Sequence, residues 1–139
     1  MTLRFAAVPL VAASALLLHV LATPGDAAVP SPAERRFAEA HAQAEAGQRA
    51  AAREGFEASI DALPLLADHS LWFAAKLAAR DEDANTARRH LDRLLAQAGD
   101  SVWREDALVL RGNLALESGD ATAALKDFDA AIRLSLIHI

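Results

Sequence analysis

Cysteine and tyrosine are absent from the 139 residues, methionine occurs once, and the aromatic side chains are five phenylalanines and two tryptophans. Without cysteine there is no disulfide framework, thiolate metal site, cysteine nucleophile or lipid-modified N-terminal cysteine, while the redox compartment stays open. So few rings leave no material for a thick aromatic or β-rich core. A basic excess is missing too, because 14 Lys and Arg are scattered among 19 Asp and Glu for a net charge of −5. No cationic stripe is available to track a phosphate backbone, so nucleic acid is not an expected partner. What remains is alanine and leucine, which dominate a hydrophobic fraction of 53%. Both favour closely packed helices, so the expected class is all-α in a chain with room for one domain.

The opening residues read as a targeting segment. Arg4 precedes an apolar run from Phe5 to Ala22, broken only by Pro9, Ser14 and His19, and "TPGDAA" then supplies a turn with small residues. Residues 1–28 resemble a bacterial secretory signal peptide. Cleavage after Ala27 places Gly25 three residues before the cut, whereas cleavage after Ala28 would place Asp26 there. An uncleaved membrane anchor is the other reading of the same run. Either one exports the remainder, and the expected compartment is the periplasm, with membrane contact only through this segment.

From Ser31 onward, helix and short break alternate. "SPAE" is a start signal, with Ser31 as cap, Pro32 in the first turn and Glu34 able to reach back. The first helix is expected to reach about Ala46 and stop at Gly47, and the second to run from Arg49 to Leu63 and Pro64. A third spans about Ala67 to Arg80 and a fourth Ala84 to Gln97. The fifth is capped by Asp100 or Ser101 and reaches Ser118, and the Gly119–Asp120 turn leads into the sixth.

These six helices carry a period. Ala52 and Phe56, Ala87 and Leu91, and Ala124 and Phe128 each set a small residue four positions before a large apolar one, with the alanines 35 and 37 apart. Pro64 comes after Phe56, Gly47 precedes Ala52, Gly112 and Gly119 precede Ala124, and Ala131 lies one turn beyond Phe128. This spacing resembles the tetratricopeptide repeat, a helix-turn-helix unit of about 34 residues. The resemblance covers residues 31–134 and implies an α-solenoid of about three antiparallel hairpins. In it the alanine lets paired helices approach and the large residue fills the groove against the next pair. The first unit has Ser59 where alanine is usual, and the middle unit has "RDED" in place of Gly-Asp and Gly99 in place of proline. In the last unit Leu136 stands where the pattern expects proline. "LSLIHI" can be back-translated as CTG TCT CTT ATA CAC ATC, a transposon-end sequencing adapter. Residues 135–139 are therefore expected to be adapter read-through on a truncated chain, which the encoding nucleotides check.

The middle unit bears a narrower likeness. Pro64, Leu65, Leu66, Ala67 and Asp68, with Leu71, Trp72 and Phe73 after them, resemble the N-terminal superhelical region of soluble lytic murein transglycosylases, with His69 standing where tyrosine is more usual. That resemblance implies a periplasmic scaffold holding a peptidoglycan glycan strand near a lysozyme-like domain. The catalytic acid of that family is a glutamate in a Glu-Ser motif, kept protonated by an apolar cleft. Glu117 and Ser118 form such a pair, but "ALESGDA" puts them at a helix end without the Gly-Leu-Met-Gln-like continuation, so no catalytic residue is expected here.

Other candidates are binding groups. Trp72 and Trp103 suit sugar stacking if they face a groove, or a helix interface if they do not. Arg88 and Arg89, with Arg80 and Arg93, could meet an anionic ligand, yet Asp81, Glu82, Asp83 and Asp92 interleave with them as a salt-bridged face would require. His41, His69 and His90 lack metal-pair spacing, so neither metal nor cofactor is expected. The leading functional expectation is the N-terminal fragment of a lytic transglycosylase. The competing one is a non-enzymatic periplasmic repeat adaptor that recognises a protein segment.

Overall fold

In the computed structural model, residues 28–97 and 99–137 are described, and the signal-peptide reading falls almost wholly outside them. Among the described residues six α-helices succeed one another: α1 Pro32–Glu45, α2 Arg49–Ala62, α3 Ala67–Arg80, α4 Ala84–Gln97, α5 Arg104–Glu117 and α6 Ala121–Ile137. A 3-10 turn, Pro64–Leu66, links α2 to α3. No strand occurs among the described residues, and each helix packs chiefly on the helix before and after it in the chain. The class is all-α, in six helices packed in sequence order.

Local chemistry sets the boundaries. Ser31 Oγ accepts from the Glu34 N–H at 3.2 Å while the Ser31 N–H donates to Glu34 Oε2 at 2.6 Å, a reciprocal capping box that starts α1. Each of the three α-hairpins turns through a residue with positive φ, at Gly47 (76°), Glu82 (60°) and Gly119 (83°). The residue after it then donates its N–H back to the end of the preceding helix: Gln48 to Gln43 O at 2.8 Å, Asp83 to Ala78 O and Asp120 to Ala115 O, both at 2.9 Å. Asp83 and Asp120 also cap the second helix of their hairpins, accepting from the Thr86 and Ala123 N–H groups at 3.1 and 2.9 Å. "RDED" therefore makes the same turn as Gly-Asp, with Glu82 occupying a backbone state that suits glycine.

The start of α5 differs from the expectation. Neither Asp100 nor Ser101 caps it; the helix begins at Arg104 after Trp103. Ser101 Oγ instead accepts from the Trp103 N–H at 3.2 Å and donates to Asp68 Oδ2 at 2.7 Å, which ties this connection to the start of α3. At the other end α6 runs past Leu134 to Ile137 without a break.

Small residues set the spacing between helices. Ala40, Ala52, Ala74, Ala75, Ala78, Ala87 and Ala107 are all fully buried, and Phe56, Leu71, Leu91 and Leu94 fill the space between them. A Cβ added at Gly55 would lie 2.7 Å from Ala40 Cβ, so α1 and α2 meet with no clearance. At Gly112 an added Cβ would lie 2.6 Å from Phe128 Cε1, so that glycine makes room for the ring. Ser59, in an alanine-like place, is tolerated while buried because its hydroxyl donates to the Gly55 carbonyl at 2.8 Å.

Two outcomes test this packing. Gly55→Ala is expected to lower stability by about 1–3 kcal/mol in a urea titration, because Ala40 belongs to a neighbouring backbone and cannot swing aside. Glu82→Gly is expected to raise it by about 0.5–1 kcal/mol, since relief of the left-handed strain outweighs glycine's added unfolded-state entropy. An unchanged denaturation midpoint in either variant would contradict the corresponding account.

Candidate functional site

Two kinds of surface arise from the alternation of helices. On the side where α1, α3 and the beginning of α5 meet, rings gather. The His41 ring sits edge-on to Phe37, Phe56 and Phe73 with centroids 4.8, 4.8 and 4.7 Å apart. Phe56 stacks on Phe73 at 5.2 Å, and Phe73 in turn touches Trp103 at 5.6 Å. Trp72 stacks on Trp103 with centroids 5.6 Å apart and planes 15° apart. Lys76 Nζ stands 5.4 Å from the Trp72 centroid and 5.6 Å from that of Phe73, within cation–π range, and has no ion pair among the described residues. Phe37, His41, His69, Phe73, Lys76 and Trp103 are all half-buried, so the group is partly open to solvent.

Hydrogen bonds fix this group in place. His69 Nδ1 lies 3.0 Å from Asp68 Oδ1, and its ring meets Trp103 edge-on at 5.4 Å. Burial alone would raise the Asp68 carboxyl, but hydrogen bonds from His69 and Ser101 outweigh it and hold the group below the usual carboxylate range. His41 is pushed down mainly by desolvation among the phenyl rings, with Glu45 opposing and His69 adding to the fall. The Trp103 indole N–H and the Ser70 hydroxyl are buried with no hydrogen-bond partner among the described residues.

The α2–α4 side is built of ion pairs. Arg53 reaches Asp83 at 2.8 Å and Glu57 at 3.0 Å, Glu57 meets His90 Nε2 at 3.1 Å, and Arg93 pairs with Asp61. Asp83 is drawn down to about 2, first by the Thr86 backbone N–H and then by Arg53. Burial would raise Glu57, but Arg53 and His90 reverse the sign and lower it. Arg111 on α5 joins the next layers: it grips the buried Asp127 of α6 with two bonds of 2.6 and 2.8 Å and reaches Asp92 of α4 at 2.7 Å. Those carboxylates hold the Arg111 guanidinium above its ordinary range, the Asp127 hydrogen bonds contributing most.

Against this geometry the sequence candidates take definite places. Trp72 and Trp103 are brought together, but each covers a face of the other, and Trp72 is only 7% exposed. Arg88 and Arg89 are not brought together on one ligand. Arg88 donates to Leu114 O and Ser118 Oγ at the end of α5, whereas Arg89 donates to Thr86 Oγ1 at 2.7 Å. Ala52, Ala87, Ala124 and Ala131 are buried, as are Phe56, Leu91 and Gly112, while Phe128 is half-buried and Pro64 exposed. Gly47 and Gly119 occupy the positive-φ turn positions. Glu117 is the exposed last residue of α5. Sequence reasoning passed over Phe37, Lys76, Gly55 and the Arg111–Asp127 pair. Asp127 had a signal, a lone acid on the helix face that also carries Ala124 and Ala131.

Compared with protein-family models, curated proteins and solved structures, this chain matches none of them. Its function is therefore to be sought in its own geometry.

His41 gives that geometry a pH signature. Its folded value lies below the unfolded one of about 6.5, so its contribution is present above that pH and is lost as pH falls through the lowered folded value. Urea unfolding at neutral and mildly acidic pH should show the wild type losing stability over that fall, and His41→Leu should flatten the loss. An equal slope in the variant would place the acid sensitivity elsewhere.

Proposed function

We propose that this chain is an exported helical-repeat scaffold of the tetratricopeptide kind, stacked as a solenoid, that works by binding rather than by catalysis. Its binding surface is the ring-bearing side of α1, α3 and α5, and its partner is a protein segment in the periplasm. One observation carries this reading: Lys76, without an ion pair among the described residues, stands over the buried Trp72 and half-buried Phe73 rings on one side, while the arginines of α2 and α4 on the other are engaged with carboxylates, a hydroxyl or a helix end. A cation set over aromatic rings suits an extended peptide that offers an apolar side chain next to an acidic one.

The reading as the N-terminal part of a lytic transglycosylase is kept as a second proposal. It is favoured by the Pro64–Asp68 stretch and by the meeting of both tryptophans at one place, Trp103 with part of its ring surface exposed. In that role the same side would hold a glycan strand.

A single selection separates the two. A random-peptide display library and purified peptidoglycan sacculi are offered to the immobilised chain. Peptides combining an acidic and an aromatic or branched apolar residue are expected to be enriched, and Lys76→Glu should abolish their capture while Arg89→Glu leaves it intact. Retention of sacculi that Trp103→Ala removes would favour the glycan reading instead. Enriched peptides indifferent to Lys76→Glu would remove this surface from consideration.

A further inference from the structure

The middle hairpin is open at its base, where α3 begins and α4 ends. A groove of about 400 Å³ lies there, between the α2–α3 and α4–α5 connections. Its floor is formed by Leu71 and Leu94, both buried residues of the core. Leu65, 95% exposed, stands at its edge, so apolar surface continues outward from the core instead of ending at it. The charge in the lining is of one sign: Asp68 and Asp100 both contribute, and no lysine or arginine does. Hydrogen bonds from His69 and Ser101 keep Asp68 ionised at neutral pH. Asp100 has no hydrogen bond or ion pair among the described residues. Glu57, Asp61 and Asp83 on the α2–α4 side all meet arginines, whereas the carboxylates of this groove meet none.

We infer that this groove seats a basic segment of a partner protein, one in which a lysine or arginine lies beside a branched apolar residue. Charge complementarity specifies that occupant. The branched residue rests on Leu71, Leu94 and Leu65. The basic side chain lays its methylenes along the same leucines while its charged end reaches Asp100 and Asp68. An acidic segment is refused by the same two carboxylates. Helices of this chain pack chiefly on their neighbours in sequence order, so a helix continuing that order would meet α6 and leave the base of the α3–α4 hairpin uncovered. Lys76 does not line the groove, so the inference stands apart from the function proposed above, and its occupant carries the opposite charge.

The test is a random-peptide display selection on the immobilised full chain carrying Lys76→Gln, which takes the ring-bearing side out of the measurement. Peptides that set a lysine or arginine beside leucine, isoleucine or valine should be enriched. One of them, fluorescently labelled and followed by anisotropy, should bind about ten-fold or more weakly once Asp100→Lys is added, and several-fold more weakly with Leu65→Ser. Both positions are exposed, so circular dichroism should show these chains as helical as the parent. Failure to enrich the basic class, or affinity indifferent to Asp100→Lys, would overturn the proposal. So would sedimentation of the wild type as a dimer that Asp100→Lys dissociates, since the groove would then hold a second copy. The ring-bearing side selects acidic peptides through Lys76, so either reading can fail while the other stands.

Discussion

Close approach between helix backbones is the constraint on which the rest of the structure depends. Helices of this length are marginal in isolation and gain stability by burying one side against a neighbour. Here the neighbours approach through alanine and glycine, so leucine and phenylalanine rather than a thick aromatic core suffice to fill the remaining space. Ala40 against Gly55 and Gly112 against Phe128 show opposite solutions to the same problem. The first brings two backbones together, and the second lets one ring lie flat on a helix. Dispersion contacts fall off steeply with separation, so a spacing set by small residues governs how much every large residue contributes.

That spacing also divides the surface into two chemistries. The α1–α3 side collects rings because Phe37 and His41 lie one turn apart on α1 and, with Phe73 of α3, meet Phe56 of α2. The α2–α4 side collects charge because arginines and carboxylates alternate on helices lying side by side. Exposed pairs of this kind contribute little each, and their effect lies more in registering one helix against the next. Asp127 is the exception. It is buried and doubly bonded to Arg111, so its role is to fix how α5 sits on α6.

Much of the fold was legible because the punctuation is local. Pro64 and "DED" bound α3, and Asp83 starts α4 through its own side chain, so both helices were readable residue by residue. The start of α5 was not, because the hydroxyl that could have capped it is drawn away to Asp68, 33 positions earlier in the sequence. Gly55 went unread, since its reason lies on the opposite helix at Ala40. The ring-bearing side was legible only in part: Trp72 and Trp103 could be named, but their mutual stacking depends on how the hairpins are laid together.

The α4–α5 junction is the least extensively packed of the five between consecutive helices, and the Trp72–Trp103 stack, from α3 to the residue before α5, bridges the same two hairpins. These are the chain's only two tryptophans. Intrinsic emission therefore acts as an optical gauge centred on the place where α3 meets the start of α5, whereas far-ultraviolet ellipticity sums over every helix. A molecule that opens first between its middle and last hairpins would announce it in colour before it does so in helix content.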